Sequence, residues 1–254
     1  MADRLPSVSA FFPCYNDAGS IGTMVEKAAG ALRSVTDDFE VIVVDDGSSD
    51  DSLAILQAMA ARAPYLRMVP HGHNRGYGAA LRSGFEAATR EFVFYTDGDG
   101  QYDPEELPVL VHAWREGIGL VNGYKIRRAD PPHRVVIGRT YQFVARRLFR
   151  IGLRDVDCDF RLIKTEYLRR IPLTFESGAI GVELVRRLQD AGCRMVEVPV
   201  HHYPRLHGRS EFFRVRHVYN LVADLSRLWR TLRDERAARL VARRAGSGAE
   251  ERTP

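Results

Sequence analysis

The chain has 254 residues, 45% hydrophobic and 28% charged, ordinary for a soluble globular protein and sufficient for one large α/β domain with an appendage. Cys14, Cys158 and Cys193 are scattered and lack C-x-x-C spacing, which argues for a reducing compartment and against a disulfide framework or zinc site. The net charge of +4 is uneven: residues 1–123 carry 9 Lys and Arg against 18 Asp and Glu, residues 124–254 carry 28 against 15. An acidic front suits a cation and a basic rear suits phosphate-bearing or anionic partners, but no helix-turn-helix, zinc-finger or RNA-recognition signature points to nucleic acid. No cationic stretch followed by an apolar segment opens the chain, and no run reaches the roughly 18 apolar residues of a membrane span. The expected location is therefore cytoplasmic, at most peripheral on the inner face of a membrane.

In chain order, Val8 to Phe12 reads as a strand that stops at Pro13-Cys14-Tyr15-Asn16-Asp17, where proline and polar residues force a loop. A helix follows from about Ser20, with Met24, Val25, Ala28 and Leu32 on its apolar face. Phe39 to Val44 is a nearly continuous apolar run, the pattern of a strand inside a parallel sheet, and it ends at Asp45-Asp46-Gly47-Ser48. Leu53 to Ala61 predicts a helix and Leu66 to Val69 a third strand. His71 and His73 then read as a polar loop, because no third metal ligand is evident. Gly76-Tyr77-Gly78 opens a further helix carrying Leu81 and Phe85, without dinucleotide-fingerprint spacing.

The fourth strand, Phe92 to Thr96, stops abruptly at Asp97-Gly98-Asp99-Gly100-Gln101. Two carboxylates one residue apart can share a hard cation such as Mg²⁺ or Mn²⁺ that keeps places for substrate phosphates. The same spacing also makes an Asx turn. Carboxylates at the ends of the second and fourth strands, beside the loop after the first, suggest a nucleotide-diphosphate site. Open α/β sheets bind ligands at those strand ends.

In the second half, Gly119 to Gly123 reads as a strand, followed by a basic loop, Lys125-Ile126-Arg127-Arg128, able to close on a diphosphate. Tyr141 to Phe149 has helical spacing, Asp155 to Arg161 leads into a strand or tight turn, and Glu183 sits on an apolar helix. Arg205 and Arg209 could grip the oxygens of a phosphate acceptor with forked donors. A hydroxyl acceptor would instead need a base, for which Asp155, Asp157 and Asp159 are the candidates.

Val218, Val222, Leu225, Trp229 and Leu232 recur at spacings of four and three, with Arg227, Arg230, Arg233 and Arg236 among them. This predicts a basic amphipathic helix over 216–244, open to two readings: a membrane-surface anchor, or packing on its own domain or in a homo-oligomer. Residues 245–254 read as a disordered tail.

Together these stretches resemble glycosyltransferase family 2, of the GT-A fold, and most closely its polyprenyl-phosphate glycosyltransferase branch. The resemblance runs over roughly residues 7–215, through Pro13-Cys14-Tyr15-Asn16, Val43 to Asp50, Asn74 to Arg82, Thr96 to Glu105, Asp155 to Leu162 and Val198 to Ser210. It implies a mostly parallel sheet flanked by helices, with a donor half at 7–123 and an acceptor half at 124–215. The implied activity is metal-dependent, inverting transfer of a sugar from a nucleotide-diphosphate donor to a polyprenyl phosphate. A soluble hydroxyl acceptor and a catalytically silent sugar-nucleotide-binding subunit are the alternatives. By the same resemblance Asp97, Asp99 and Gln101 form the metal set. Pro13, Tyr15, Asn16, Asp17, Asp45, Asp46, Gly76, Gly98 and Arg128 surround the donor, and Asp155, Asp157, Arg205 and Arg209 serve the reaction. Asp17 stands where the family usually has Glu, and Glu211 where many members have Lys.

Overall fold

The computed structural model describes residues 4–126, 132–205 and 215–250, with side chains described outside 132–137, 215–220 and 239–250. The chain divides into two compact units, Met1–Ser210 and Glu211–Pro254. The first is built on a seven-stranded sheet. Its strands are β1 (Val8–Cys14), β2 (Phe39–Asp45), β3 (Leu66–Pro70), β4 (Phe92–Thr96), β5 (Leu120–Lys125), β6 (Phe160–Lys164) and β7 (Met195–Val200). Across the sheet the order is β3-β2-β1-β4-β6-β5-β7. Only β6 runs against its neighbours, antiparallel to both β4 and β5, while the remaining pairs are parallel.

Strand periodicity of two sorts the core onto the sheet's two faces. Val8, Ala10, Phe12 and Cys14 of β1 join Val41, Val43, Phe92, Phe94 and Phe160 in one continuous cluster. Helices α1 (Ile21–Val35) and α4 (Leu107–Ala113) bury Met24, Val25, Leu32, Leu107 and Leu110 in that cluster. Phe11 points the other way, edge-on to Phe85 of α3 (Tyr77–Ala87) at 5.0 Å and stacked on Tyr95 at 5.3 Å. Each wholly buried phenylalanine contributes about 1.5–3 kcal/mol.

The predicted first strand stops at Phe12, but β1 continues through Pro13 to Cys14. Its pairing with β4 ends at Phe11, so the missing proline N–H leaves no gap in that ladder. The other α-helices described in this unit are α2 (Ser52–Ala60), α5 (Pro132–Phe149), α6 (Thr165–Leu168) and α7 (Ala179–Asp190).

The second unit is described as one helix, α8 (Val215–Glu250). It continues past Arg244, where the sequence reading ends it, because propagating a formed helix costs far less than starting one. Residues 251–254 of the expected tail lie outside those described. Val222 and Trp229 are exposed, and the Arg233 guanidinium stands 5.1 Å from the Trp229 ring centre. No described helix is long and apolar enough to cross a membrane.

Candidate functional site

The ends of β2, β1 and β4 lie side by side, so the loops that leave them converge. Asn16 fastens the first loop to the second. Its backbone is left-handed, with φ 56°, and its Oδ1 accepts from Ser49 N at 2.8 Å and from Asp50 N at 3.3 Å. In return Asn16 N donates to Ser48 Oγ at 3.0 Å, and Asp17 N to Ser52 Oγ at 3.1 Å. Gly47 has φ 76°, and a Cβ there would meet the His73 carbonyl carbon at 2.4 Å. That contact explains why glycine follows the Asp45-Asp46 pair. Gly98 O accepts from Ser20 Oγ at 2.8 Å, which ties the turn after β4 to the start of α1. Pro13 and Tyr15 border the same loops: Pro13 is buried in β1, and Tyr15 is exposed and donates its N–H to Asp17 Oδ2 at 3.3 Å.

Asp99 is buried, and its Oδ1 accepts from Gln101 N at 2.9 Å, so the Asx turn and a cation-ready carboxylate coexist. Asp97 is half-buried and accepts from the Tyr77 hydroxyl at 2.9 Å. Burial, then the charges of Asp159 and Asp99, hold the Asp97 carboxyl well above the usual carboxylate range. Burial and nearby carboxylates likewise push the Tyr77 and Tyr95 phenols far up, so each stays a hydrogen-bond donor.

Beneath this site lies a buried cation that sequence reasoning missed. Cross-strand register places Tyr95 of β4, Arg161 of β6 and Asn122 of β5 in one row. Arg161 is wholly buried; it donates to Asn122 Oδ1 at 2.7 Å, to Val156 O at 2.6 Å and to the Tyr95 hydroxyl. Tyr95 donates in turn to Asp159 Oδ1 at 3.3 Å, 3.6 Å from the same guanidinium. The only signal in the sequence is a charge inside the apolar run Phe160 to Ile163. Tyr77 was visible as part of a glycine motif but not as the partner of Asp97.

Several predicted site residues are engaged within the protein itself. Asp46 is buried and accepts from Arg75 N and Gly76 N, each at 2.9 Å, and pairs with His71 Nδ1 at 2.7 Å. It shapes the loop before α3, and His71, also bonded to Ser83 Oγ, is part of that brace. Gly76 permits φ 97° where a Cβ would lie 2.7 Å from Glu176 O. Asp155, expected as a base, is buried and already engaged: it faces Lys125 Nζ at 3.4 Å and accepts from Gln142 Nε2 and Asp157 N. Lys125, expected in a loop over the donor, ends β5 and donates to Asp157 O at 2.6 Å. The half-buried Asp157 therefore contributes its main chain to this cluster. Glu183 is wholly buried. It accepts from Thr174 N at 2.9 Å, Phe175 N at 3.1 Å and Arg187 Nε at 2.9 Å, tying the loop at Thr174 and Phe175 to α7.

Arg205, expected on an acceptor phosphate, donates in this structure to Asp99 Oδ2 from Nε at 3.1 Å and from a terminal nitrogen at 2.6 Å. The reason is a clasp: Tyr203 N donates to Gln101 O at 2.8 Å and Gln101 Nε2 to Tyr203 O at 3.2 Å. Arg128 and Arg209 lie outside the described residues. Asp45 keeps its place at the end of β2, buried, with Ser48 N 3.4 Å from Oδ1.

Among the described residues no group of three or more His, Cys, Asp and Glu side chains is gathered as a metal cage. Mg²⁺ and Mn²⁺ do not need one, since one or two carboxylates suffice when phosphates and waters complete the octahedron. The hard oxygens of Asp97 and Asp99 and the excess of negative charge around Asp97 fit such an ion. Arg205 on Asp99 is positive charge placed where a cation would interact.

Burial, opposed by Arg205 and reinforced by Asp99, pushes the Asp17 carboxyl up to about 6. A raised acid binds its proton more tightly folded than unfolded, so stability should fall as pH rises from about 4 to about 6. The shift corresponds to at most about 3 kcal/mol. Asp17→Asn should flatten this part of the profile in urea melts with EDTA; an unchanged slope would place the titration elsewhere.

Solved structures share the α/β architecture of this sheet. Glucosyl-3-phosphoglycerate synthase from Mycobacterium tuberculosis, in complex with Mn²⁺, UDP and phosphoglyceric acid, superimposes with a TM-score of 0.68 at 20% identity. The match covers 88% of this chain and 78% of that one. A mannosyltransferase from Pyrobaculum calidifontis, in complex with GDP-Man and Mn²⁺, gives 0.63 at 22% identity over 89% and 68%. The fold is thus that of the GT-A glycosyltransferases. The family model for glycosyl transferase family 2 matches residues 9–171, and the chain belongs to that family. A relative from Yersinia pestis (strain Pestoides F), undecaprenyl-phosphate 4-deoxy-4-formamido-L-arabinose transferase, is 30% identical over 225 residues. The match spans 88% of this chain and 67% of the relative.

Proposed function

We propose that the protein transfers a sugar from a nucleotide-diphosphate donor to a polyprenyl phosphate, inverting the anomeric carbon. The carrying observation is the strand-end set of Asp97, Asp99 and Asp45, in a chain 30% identical to an undecaprenyl-phosphate transferase. Asp97, Asp99 and Gln101 would hold a divalent cation, which when bound neutralises charge on the departing diphosphate. Asp45 is suited to accept hydrogen bonds from the base or ribose, while Asn16, Gly47 and Asp46 hold the loops in place. Tyr77 orients Asp97 by its 2.9 Å bond. Arg128 and Arg209 are assigned, on sequence grounds, to anionic groups of donor and acceptor.

A phosphate monoester is mostly ionised at neutral pH, so it attacks without a general base and needs only positioning. The engagement of Asp155 with Lys125 and Gln142 agrees with such an acceptor better than with a hydroxyl that must be deprotonated. A membrane-borne acceptor also suits two helices. α5 carries Arg134, Arg139, Arg146 and Arg147, no acidic residue, and exposed Phe143, Val144 and Leu148. α8 presents exposed Val222 and Trp229 among arginines. Apolar side chains beside arginine are the composition that enters an anionic lipid surface.

The test uses the full chain with Mn²⁺, a panel of UDP- and GDP-sugars, and anionic vesicles containing undecaprenyl phosphate. Mass spectrometry should find a glycosyl-phosphoprenol with one donor, and the protein should sediment with the vesicles at low salt. Transfer to soluble hydroxyl acceptors alone would contradict the lipid-phosphate assignment.

A further inference from the structure

Arg205 sits on the carboxylate to which the proposed cation would bind, and the contact is specific. Both its Nε and one terminal nitrogen converge on Asp99 Oδ2, at 3.1 and 2.6 Å, and that terminal nitrogen lies 3.9 Å from Asp17 Oδ1. The other Asp99 oxygen accepts from Gln101 N at 2.9 Å. The carboxylates are 7% and 9% exposed at their side chains and the arginine 25%, so the pair is only partly screened. The segment bearing the arginine is fixed to the same turn. Tyr203 and Gln101 exchange hydrogen bonds of 2.8 and 3.2 Å, and His201 N donates to Glu106 Oε2 at 3.1 Å.

We propose that Arg205 is the built-in counter-ion of Asp99, and that a divalent cation and Arg205 compete for that carboxylate. This rests on the metal site proposed above and adds to it a displaceable arginine. One oxygen that accepts two forked, charge-assisted donors has little left to offer a cation, and guanidinium and cation repel each other. Arg205 cannot leave by losing a proton, since guanidinium stays charged in proteins and its carboxylate neighbours raise its pKa further. The exchange is therefore a movement of the arginine. It strains the Tyr203–Gln101 clasp and presents a fork of N–H donors beside the site. Occupation of the metal site would thus free a cationic arm suited to an anionic oxygen of the substrates, coupling metal binding to phosphate recognition. The other role for the pair, a fixed brace that holds Asp99 ready to ligate, predicts the opposite effect on metal affinity.

The discriminating experiment measures Mn²⁺ affinity of the full chain, without nucleotide, by the electron paramagnetic resonance signal of free Mn²⁺. Arg205→Ala should bind Mn²⁺ about tenfold more tightly than wild type, the lower end of what one charge-assisted contact is worth. Arg205→Lys, with a single ammonium in place of the fork, should fall between them. Should the alanine variant fail to fold, the lysine variant and hydrogen exchange on wild type decide: the Tyr203 amide should exchange faster once Mn²⁺ is added. Equal or weaker Mn²⁺ binding by folded Arg205→Ala, or by Arg205→Lys in its place, would overturn the competition, as would an unchanged Tyr203 amide. Absence of Mn²⁺ binding in every variant, wild type included, would overturn the metal site itself and the competition with it.

Discussion

Asp97→Asn is expected to cut sugar transfer by about 100- to 1,000-fold, the loss typical when one preorganised electrostatic contributor is removed from a catalytic site. The same change should raise thermal stability at pH 8 in EDTA. Asp97 is crowded by Asp159 and Asp99 in a half-buried position, which raises its pKa. A carboxylate raised in the fold costs stability above its unfolded pKa. The cost grows as pH climbs from about 4 toward the folded value and persists beyond it. Asparagine removes the repelling charge and keeps an oxygen for the Tyr77 hydroxyl. Wild type and variant should therefore melt together near pH 3 and diverge above it, with the inactive variant the more stable. A carboxylate retained for structure would show the reverse, a lower melting temperature with activity reduced only in proportion to unfolding.

Arg161→Met should destabilise the protein by about 3–5 kcal/mol, the usual cost of deleting one partner from a buried ionic network. Methionine matches the length of the stem but leaves Asn122 Oδ1 and Val156 O without donors and removes the charge facing Asp159. Arg161→Lys should lose less, since one ammonium can still reach part of the set. Urea denaturation gives both values. A methionine variant within about 1 kcal/mol of wild type would mean that the network contributes little net stability.

Strands β2 and β4 were legible because each is an apolar, mostly buried run that ends in aspartate and glycine, as Phe92 to Thr96 is closed by Asp97-Gly98. The carboxylate positions followed, since a strand end fixes where its next residue stands. The remaining side-chain partners were not legible. Arg205 reads locally as a phosphate ligand, and only the clasp between Tyr203 and Gln101, 102 residues apart in sequence, turns it toward Asp99. Asp155 reads as a base because its loop is rich in aspartate, but Lys125 and Gln142 arrive from β5 and α5 to occupy it. Arg161 was overlooked since its row of partners, Tyr95 and Asn122, exists only after β6 enters the sheet antiparallel. Strand β7 alternates Val196, Val198 and Val200 with Glu197 and Pro199, but a proline inside so short a run weakens it as a strand signal.

The central claim is that the end of β4 holds a nucleotide diphosphate through a cation at Asp97 and Asp99. Its most direct test is calorimetric titration of UDP and GDP into wild type and Asp97→Asn, in EDTA and again in Mn²⁺. At least one nucleotide should bind wild type about tenfold or more tightly with Mn²⁺, a gain of about 1.4 kcal/mol, and the variant should lose that gain. Affinity that is the same with and without Mn²⁺, or a gain that survives in Asp97→Asn, would contradict it.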